Sequence, residues 1–317
     1  MSPKNFDGQV VIVTGGGGGL GAAFCKELAR RGAAVVVNEI ANTPDGESYA
    51  DAVVHDILSG GGRAIPNYDT VATEAGGRAI VESALHAFGR IDAVISNAGN
   101  QRNGRFGEIT AEDIVAVFAV HTYGAFFVGQ PAYREMIKQG YGRLVLVSSQ
   151  SGAFGNPFRS NYGAAKTALI GLMNVIAQEA PPTIKVNCLF PNAYGGRLGS
   201  TPIEQRIDRA FLEAAAEQNK TYRHALKPEF IAPLACYLAS RDCNASQGMY
   251  SAAGGKYSRI FIGLTEGWYS AGADAPSCED LVKNLAKIDD RSRYDVPLSG
   301  FEEYETVLAT RRRLGLD

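Results

Sequence analysis

The sequence lacks the features that mark several classes of protein. Its 31 Lys and Arg residues are nearly balanced by 33 Asp and Glu residues, so the formal net charge is −2. We therefore expect no nucleic-acid partner, because binding to nucleic acid needs a basic surface. No purely apolar stretch approaches the roughly 18 residues that a membrane-spanning helix requires, and we expect no membrane partner.

Cysteines are few, and their spacing is uninformative. The odd number of cysteines and the absence of a C-x-x-C pair argue against disulfides and against a zinc site, so no metal is expected. The segment before the first strand also lacks the long apolar core of a signal peptide. The expected location is the cytoplasm. The five cysteines are Cys25, Cys188, Cys236, Cys243 and Cys278.

What the sequence does contain is a regular alternation of short apolar runs and helical patterns. The runs are nearly continuous, which is typical of strands buried on both faces. Such an alternation predicts an α/β protein with a Rossmann-like, doubly wound parallel sheet. The predicted strands are 9–15, 33–39, 63–69, 91–99, 142–149 and 183–190. The predicted helices are 20–32, 48–59, 70–89, 111–139 and 161–180.

The pattern changes after residue 193. Residues 194–220 have little strand character and are predicted to form a substrate lid, although an ordinary surface excursion would have the same composition. A helix at 228–240 and a strand at 248–253 complete a domain over residues 1–253. Residues 254–317 form a C-terminal extension, predicted to pack on the same domain, with a hairpin in 259–269 and a helix in 279–288.

The first strand ends in TGGGGGLG (14–21), directly before a helix. A glycine-rich turn at this place lets the backbone approach a pyrophosphate, which the N–H groups of the helix N-terminus can bind. Its position between the first strand and the first helix favours a dinucleotide site over a merely flexible turn. The candidate residues are Gly15, Gly18, Gly19, Leu20 and Gly21.

Acidic residues follow the next two strands. Glu39 ends the second strand, where a carboxylate can accept hydrogen bonds from both ribose hydroxyls and would repel a 2′-phosphate. The predicted cofactor is therefore NAD and not NADP. Asp69 ends the third strand, and Thr70 follows it as a further candidate for the cofactor site. Asp69 is a candidate acceptor for the adenine amino group or, equally, the N-cap of the following helix.

The candidate reactive group is Tyr162, which opens the helix YGAAK together with Lys166 one turn later. A free tyrosine has a pKa near 10 and is a poor base at neutral pH. A neighbouring ammonium and an oxidised nicotinamide both favour the phenolate, so the pair makes a workable base. Ser149, at the end of the strand 142–149, could bind the substrate oxygen beside the tyrosine.

These motifs, in this order, resemble the short-chain dehydrogenase/reductase family over about residues 6–253. The resemblance implies that SNAG (96–99) contributes Asn97, Ala98 and Gly99 to the cofactor site, and that Pro191, Asn192 and Ala193 lie along the nicotinamide. It also implies a homodimer or homotetramer that pairs through the helices 111–139 and 161–180.

Longer segments resemble one branch of the family, the hydroxyacyl-CoA dehydrogenase unit of peroxisomal multifunctional enzyme type 2, also called type 4 17β-hydroxysteroid dehydrogenase. They are FDGQVVIVTG, YGRLVLVSSQSGAFGN, CLFPNA and HALKPEFIAPL. The implied activity is oxidation of a (3R)-hydroxyacyl-CoA, with an ordinary or a steroid-derived acyl chain, by NAD. The alternatives are a 17β-hydroxysteroid dehydrogenase acting on a free steroid and a non-catalytic NAD-binding scaffold.

His121 lies in the apolar run FAVHTYGAFF (118–127). The wider family usually has an asparagine at this position, where it holds a water behind the lysine, and the branch is expected to have the histidine. We predict that His121 completes a proton path behind Lys166, since imidazole can donate, accept and titrate near neutral pH. The alternative is a packed core histidine.

Overall fold

The computed structural model describes residues 5–193, 224–270 and 275–316, and five single positions within 194–223. Within these ranges the larger of two sheets has eight strands. Its strands are β1 (Val10–Thr14), β2 (Ala34–Asn38), β3 (Arg63–Asn67), β4 (Ala93–Ser96), β5 (Gly142–Val147), β6 (Ile184–Asn192), β7 (Gly248–Ala253) and β8 (Lys256–Ile260).

The strand order confirms the predicted doubly wound α/β fold. It runs β3-β2-β1-β4-β5-β6-β7-β8, and the pairs from β3 through β7 are all parallel. Every residue of β1, β2 and β5 is buried, as the continuous apolar runs predict. The order reverses between β1 and β4, so the loops after these strands open a crevice at the carboxyl edge of the sheet.

Helices cover both faces of the sheet. Local capping sets several of their starts: Ser48 accepts hydrogen bonds from the backbone N–H groups of Ala50 and Asp51, and Thr73 accepts one from Gly76. The helices of the sheet domain are α1 (Gly19–Arg30), α2 (Tyr49–Ser59), α3 (Glu74–Phe88), α4 (Ala111–Phe118), α5 (Gly124–Gln139), α6 (Gln150–Phe154), α7 (Ser160–Glu179) and α8 (Ala232–Ala239).

The predicted long helix over 111–139 is interrupted. A π-helical turn at Ala119–Tyr123 separates α4 from α5. Such wider turns recur at functional sites, and this one contains His121.

The combined segment Ala111–Gln139 is long and apolar enough to cross a membrane, which corrects the expectation that no such stretch exists. Its α5 part packs on α3, β4 and β5, and its α4 part packs on α7. These contacts are those of a core helix of the sheet domain.

The described residues fall into two compact units, Met1–Arg259 and Ile260–Asp317. The second contains the short antiparallel pair β9 (Leu264–Thr265) and β10 (Tyr294–Asp295), with the helices α9 (Cys278–Ile288) and α10 (Gly300–Arg313). The helix expected at 279–288 is therefore present. The hairpin expected within 259–269 is absent, because β9 pairs with β10, which lies 30 residues further along the chain. Packing of the extension on the first domain stays a prediction.

The predicted lid, 194–220, lies outside the described residues apart from single positions. Arg209 and Lys220 are two of these positions, and their side chains face Glu213 and Glu217 at 2.9 and 3.7 Å.

Candidate active site

The crevice at the strand reversal is held together by Asn97, which follows β4. Its side-chain Nδ2 donates to the carbonyl oxygens of Thr14 and Gly15 at 3.0 and 3.1 Å. The backbone N–H groups of Asn97 and Ala98 both donate to Thr14 Oγ1 at 3.0 Å. These bonds join the ends of β1 and β4 and set the position of the glycine turn.

The glycine turn is too tight for side chains at two of the predicted positions. Gly15 has a φ of +64°, and a Cβ there would lie 2.8 Å from the Ala98 Cα. A Cβ on Gly21 would lie 2.0 Å from the Gly15 carbonyl oxygen. Gly18 is the N-cap of α1, and Gly19 and Leu20 begin the helix. The first-turn N–H groups of α1 are therefore next to this turn, as an anion site requires.

Glu39 lies against the same turn. A Cβ built on Gly17 would come within 2.5 Å of the Glu39 Cγ, so only glycine leaves this side of the turn open. Glu39 Oε1 accepts hydrogen bonds from the backbone N–H groups of Ile40 and Ala41 at 3.0 and 3.1 Å. The carboxylate is thus held beside the turn, where the ribose of a dinucleotide would fit.

Asp69 and Thr70 follow β3, at the edge of the same crevice. The Asn67 side chain donates to Asp69 Oδ2 at 2.9 Å, and Asn38 Nδ2 donates to the Asp69 carbonyl oxygen at 2.8 Å. Thr73 caps α3, so the alternative role of Asp69 as a helix N-cap is wrong.

Ser149, Tyr162 and Lys166 come together at the carboxyl end of β5. The Ser149 side chain caps α6 by accepting from the Ser151 N–H at 3.2 Å, and its hydroxyl acts on Tyr162 in the direction that lowers the pKa of the phenol. Tyr162 and Lys166 lie one turn apart on α7 and are 6% and 3% exposed. Lys166 Nζ donates to the Val147 carbonyl oxygen at 2.5 Å and lies 5.8 Å from the Tyr162 ring centroid.

Burial controls the protonation of this cluster. It raises the pKa of Tyr162, and the Ser149 hydrogen bond and the positive charge of Arg159 oppose this only in part. Burial also lowers the pKa of Lys166 to about 7. The net change in the pKa of Tyr162 is therefore upward with the protein groups alone, and the expected joint effect of the Lys166 ammonium and an oxidised nicotinamide stays a prediction. The phenolate needs the further positive charge of an oxidised nicotinamide.

His121 packs directly behind Tyr162. Its ring meets the Tyr162 ring edge to face at 5.1 Å, and a Cβ on Gly99 would lie 2.5 Å from its Cε1. Nε2 lies 2.8 Å from the backbone oxygen and 3.1 Å from the backbone nitrogen of Asn100. Nδ1 is buried and has no hydrogen-bond partner among the described residues.

The charge state of His121 differs from the expectation. Burial, and then the positive charge of Lys166, hold its pKa well below the usual range. The imidazole is therefore neutral at neutral pH, and the predicted titration there is wrong. The neutral ring can donate or accept one hydrogen bond at Nδ1. Which of the two it does depends on the tautomer, and the Nε2 contacts with the Asn100 backbone determine the tautomer.

Pro191 and Asn192 end β6, and Ala193 follows them. β6 lies beside β5 and pairs Leu189 with Val147. The three residues therefore stand at the same edge of the sheet as Ser149, and their contact with the nicotinamide stays a prediction.

Two residues that sequence reasoning missed support the tyrosine. Asn161 Oδ1 accepts the Tyr162 backbone N–H at 2.8 Å, and its Nδ2 donates to the Arg102 carbonyl oxygen at 2.9 Å. Arg159 contributes the charge noted above. Asn161 and Arg159 lie one and three residues before Tyr162, so the residues next to the Tyr-x-x-x-Lys motif were the available signal.

Comparison with known proteins decides the family. The family model described as short chain dehydrogenase matches residues 9–203. The chain belongs to the short-chain dehydrogenase family. It is thus an NAD(P)-dependent enzyme that acts on CH–OH groups.

Individual relatives agree with this assignment. The short-chain dehydrogenase is 38% identical over 300 residues to a protein of Mycobacterium tuberculosis described as a short-chain type dehydrogenase/reductase, covering 93% of this chain and 98% of the relative. It is 38% identical over 302 residues to peroxisomal multifunctional enzyme type 2 of Mus musculus, covering 93% of this chain but only 38% of that enzyme. The solved structure of NAD⁺-bound xylitol dehydrogenase superposes with a TM-score of 0.69 at 27% identity, covering 80% of this chain and all of the other.

Proposed function

We propose that this short-chain dehydrogenase oxidises (3R)-hydroxyacyl-CoA to 3-ketoacyl-CoA with NAD. The observation that carries the reaction is the buried cluster of Ser149, Tyr162 and Lys166 at the crevice. Similarity to peroxisomal multifunctional enzyme type 2 over nearly the whole chain supports the acyl-CoA substrate.

The preference for NAD is supported by Glu39. Its carboxylate lies against the glycine turn and would repel a 2′-phosphate while accepting from ribose hydroxyls. The dinucleotide would be held by the glycine turn, Glu39, Asn97, Tyr162 and Lys166. Bound NAD supplies the hydride acceptor.

In the proposed reaction Ser149 Oγ orients the substrate oxygen through a hydrogen bond. Tyr162 Oη accepts the proton of the substrate hydroxyl, and the carbon that bears this hydroxyl loses a hydride. The alcohol thus loses one hydride and one proton. Lys166 binds the nicotinamide ribose. Its pKa of about 7 lets its amino group both release and take up a proton near neutral pH.

We assign the next place in the proton path to His121. Its Nδ1 is buried without a described partner, so it can hold a water between Lys166 and solvent. The neutral ring would relay a proton through hydrogen bonds without itself becoming charged.

Two exposed aromatic side chains make oxidation of a free 17β-hydroxysteroid a second candidate. Phe106 and Phe154 follow β4 and Ser149, and they are 86% and 72% exposed. Such rings would pack equally well on a steroid skeleton or on the acyl chain of a CoA thioester.

The testing experiment measures NADH formation with the (3R)- and (3S)-hydroxyacyl-CoA isomers and with a 17β-hydroxysteroid. We expect the (3R) thioester to have the highest kcat/KM with NAD. A higher value for the free steroid would make the second candidate correct. If NAD binds but no substrate yields NADH, the chain is a cofactor-binding scaffold.

We also propose a homodimer or homotetramer formed through α4, α5 and α7. Apolar side chains on these helices remain exposed, among them Ile114, Val115 and Val175. Sedimentation of the purified chain tests this, and a monomer at micromolar concentration would contradict it.

A further inference from the structure

Phe158 has a backbone conformation that disfavours its own side chain. Its φ is +65°, and among the described residues only Gln247, at +57°, is another non-glycine residue with positive φ. Glycine adopts this conformation freely, whereas a bulky residue there is a steric outlier. A glycine at either position would remove this backbone strain. Strain of this kind concentrates at functional sites, so its location matters.

The two strained residues lie at opposite edges of the sheet. Gln247 immediately precedes β7, at the amino end of that strand. Phe158 lies in the turn 155–159, which joins α6 to α7 between Ser149 and Tyr162. Only Phe158 is therefore at the edge where substrate binds.

The surroundings hold Phe158 in place. Its carbonyl oxygen accepts the Gly104 N–H at 2.9 Å, and the Arg105 guanidinium carbon lies 5.7 Å from the centroid of its ring. The Asn161 side chain joins the same two segments by donating to the Arg102 carbonyl oxygen. The ring thus stands between the loop after β4 and the start of α7.

Two arginines lie near the ring, one in space and one in sequence. Arg105 stacks on it, and Arg159 is the next residue in the chain. The Arg159 guanidinium forms no hydrogen bond or ion pair with the described residues, and its charge reaches Tyr162. Arg209 and Lys220 differ from Arg159 in this respect, since the side chain of each faces a glutamate. A ring that carries one guanidinium group and is followed in the chain by a second arginine fits a ligand with an apolar chain next to an anion, because arginine binds phosphate in a two-pronged geometry.

Resting on the function proposed above, we propose that Phe158, Arg105 and Arg159 form an entrance site for the CoA part of the substrate. The ring packs on the pantetheine chain, and the guanidinium groups bind phosphate. In a CoA thioester whose acyl group is uncharged, all the negative charge is on the CoA part. The two arginines therefore favour binding of the CoA part over binding of the acyl group. The strain at Phe158 is retained because glycine would remove the ring.

The test uses one acyl group carried on CoA and on N-acetylcysteamine, which lacks the phosphates. Phe158→Gly should raise the KM of the CoA thioester by about tenfold, the scale of one aromatic contact, and leave the other KM unchanged. Gln247→Gly is the matched control and should change neither KM.

The arginines are tested by charge removal. Arg159→Gln and Arg105→Gln should raise the KM of the CoA thioester and weaken its dependence on salt, whereas the exposed Arg78→Gln should do neither. An unchanged KM for the CoA thioester in Phe158→Gly, or an equal rise for both thioesters, would overturn the entrance site.

A binding measurement separates this site from the proposed reaction. Free CoA is titrated by calorimetry into the wild type and Phe158→Gly, each saturated with NADH so that the dinucleotide site is filled. Weaker binding to the variant supports the entrance site even if neither thioester is oxidised, which would refute only the proposed function. Equal binding, or none to the wild type, would overturn the entrance site.

Discussion

Lys166 gives a prediction whose size follows from its burial. The amino group is completely enclosed, and its pKa falls from an ordinary 10.5 to about 7. Because the folded pKa lies below the unfolded one, the unfolded chain binds an extra proton between about pH 7 and pH 10.5. The free energy of unfolding contributed by this group therefore rises with pH across that window.

The perturbation is Lys166→Met, which keeps an unbranched apolar side chain and removes the amino group. The two pKa values determine how many protons Lys166 binds in the folded and unfolded states at each pH. From Lys166 alone, the free energy of unfolding of the wild type should be about 2 kcal/mol higher at pH 9 than at pH 7. Below pH 7 the cost of burying the ammonium is fully present and no further change is expected. The variant lacks this term at every pH.

The assay is urea unfolding of the cofactor-free wild type and variant at pH 7 and pH 9. Other titrating groups are common to both proteins, so the difference between their two pH responses isolates Lys166. An equal response in both proteins would refute the assignment of a near-neutral pKa to Lys166. It would also remove the physical basis for its part in the proton path.

Other changes test the cofactor turn and the histidine. Glu39→Ser should raise the KM for NAD by about 10- to 100-fold, the scale of lost charge-assisted hydrogen bonds, and lower that for NADP; steady-state kinetics with an unchanged NADP KM would contradict this. His121→Asn should keep substantial activity, whereas His121→Ala should lose more and shift the pH–rate profile; an unchanged profile would favour a packed core histidine. Gly21→Ala should abolish dinucleotide binding in a fluorescence titration, because its Cβ would overlap the Gly15 carbonyl oxygen, whereas Gly171→Ala, with open space around its Cβ, should bind normally.

The fold could be predicted because its signals are local. β1 was expected at 9–15 and runs over Val10–Thr14, since a continuous apolar run between polar residues allows little else. The helix expected at 70–89 begins only at Glu74, because Thr73 provides the cap. The pairing of β9 with β10 was missed, since two-residue strands 30 positions apart leave no local pattern.

In the candidate site, too, local sequence predicts some features, whereas others depend on tertiary packing. Tyr162 and Lys166 were found from their spacing on one helix, and Ser149 from its place at a strand end. The direction of the pKa changes of Tyr162 and Lys166 could not be predicted from the sequence, because burial depends on every element packed around α7. The left-handed backbone of Phe158 was also missed, since nothing in its neighbours excludes an ordinary conformation.

The central claim is that Tyr162 is the proton acceptor in an NAD-dependent oxidation of (3R)-hydroxyacyl-CoA. Its most direct test is kcat/KM for that substrate, followed as NADH formation, in the wild type and in Tyr162→Phe. The account predicts a loss of about 10²- to 10⁴-fold in the variant, with NAD binding retained. A variant that keeps wild-type kcat/KM, or a wild type that oxidises only the (3S) isomer, would contradict it.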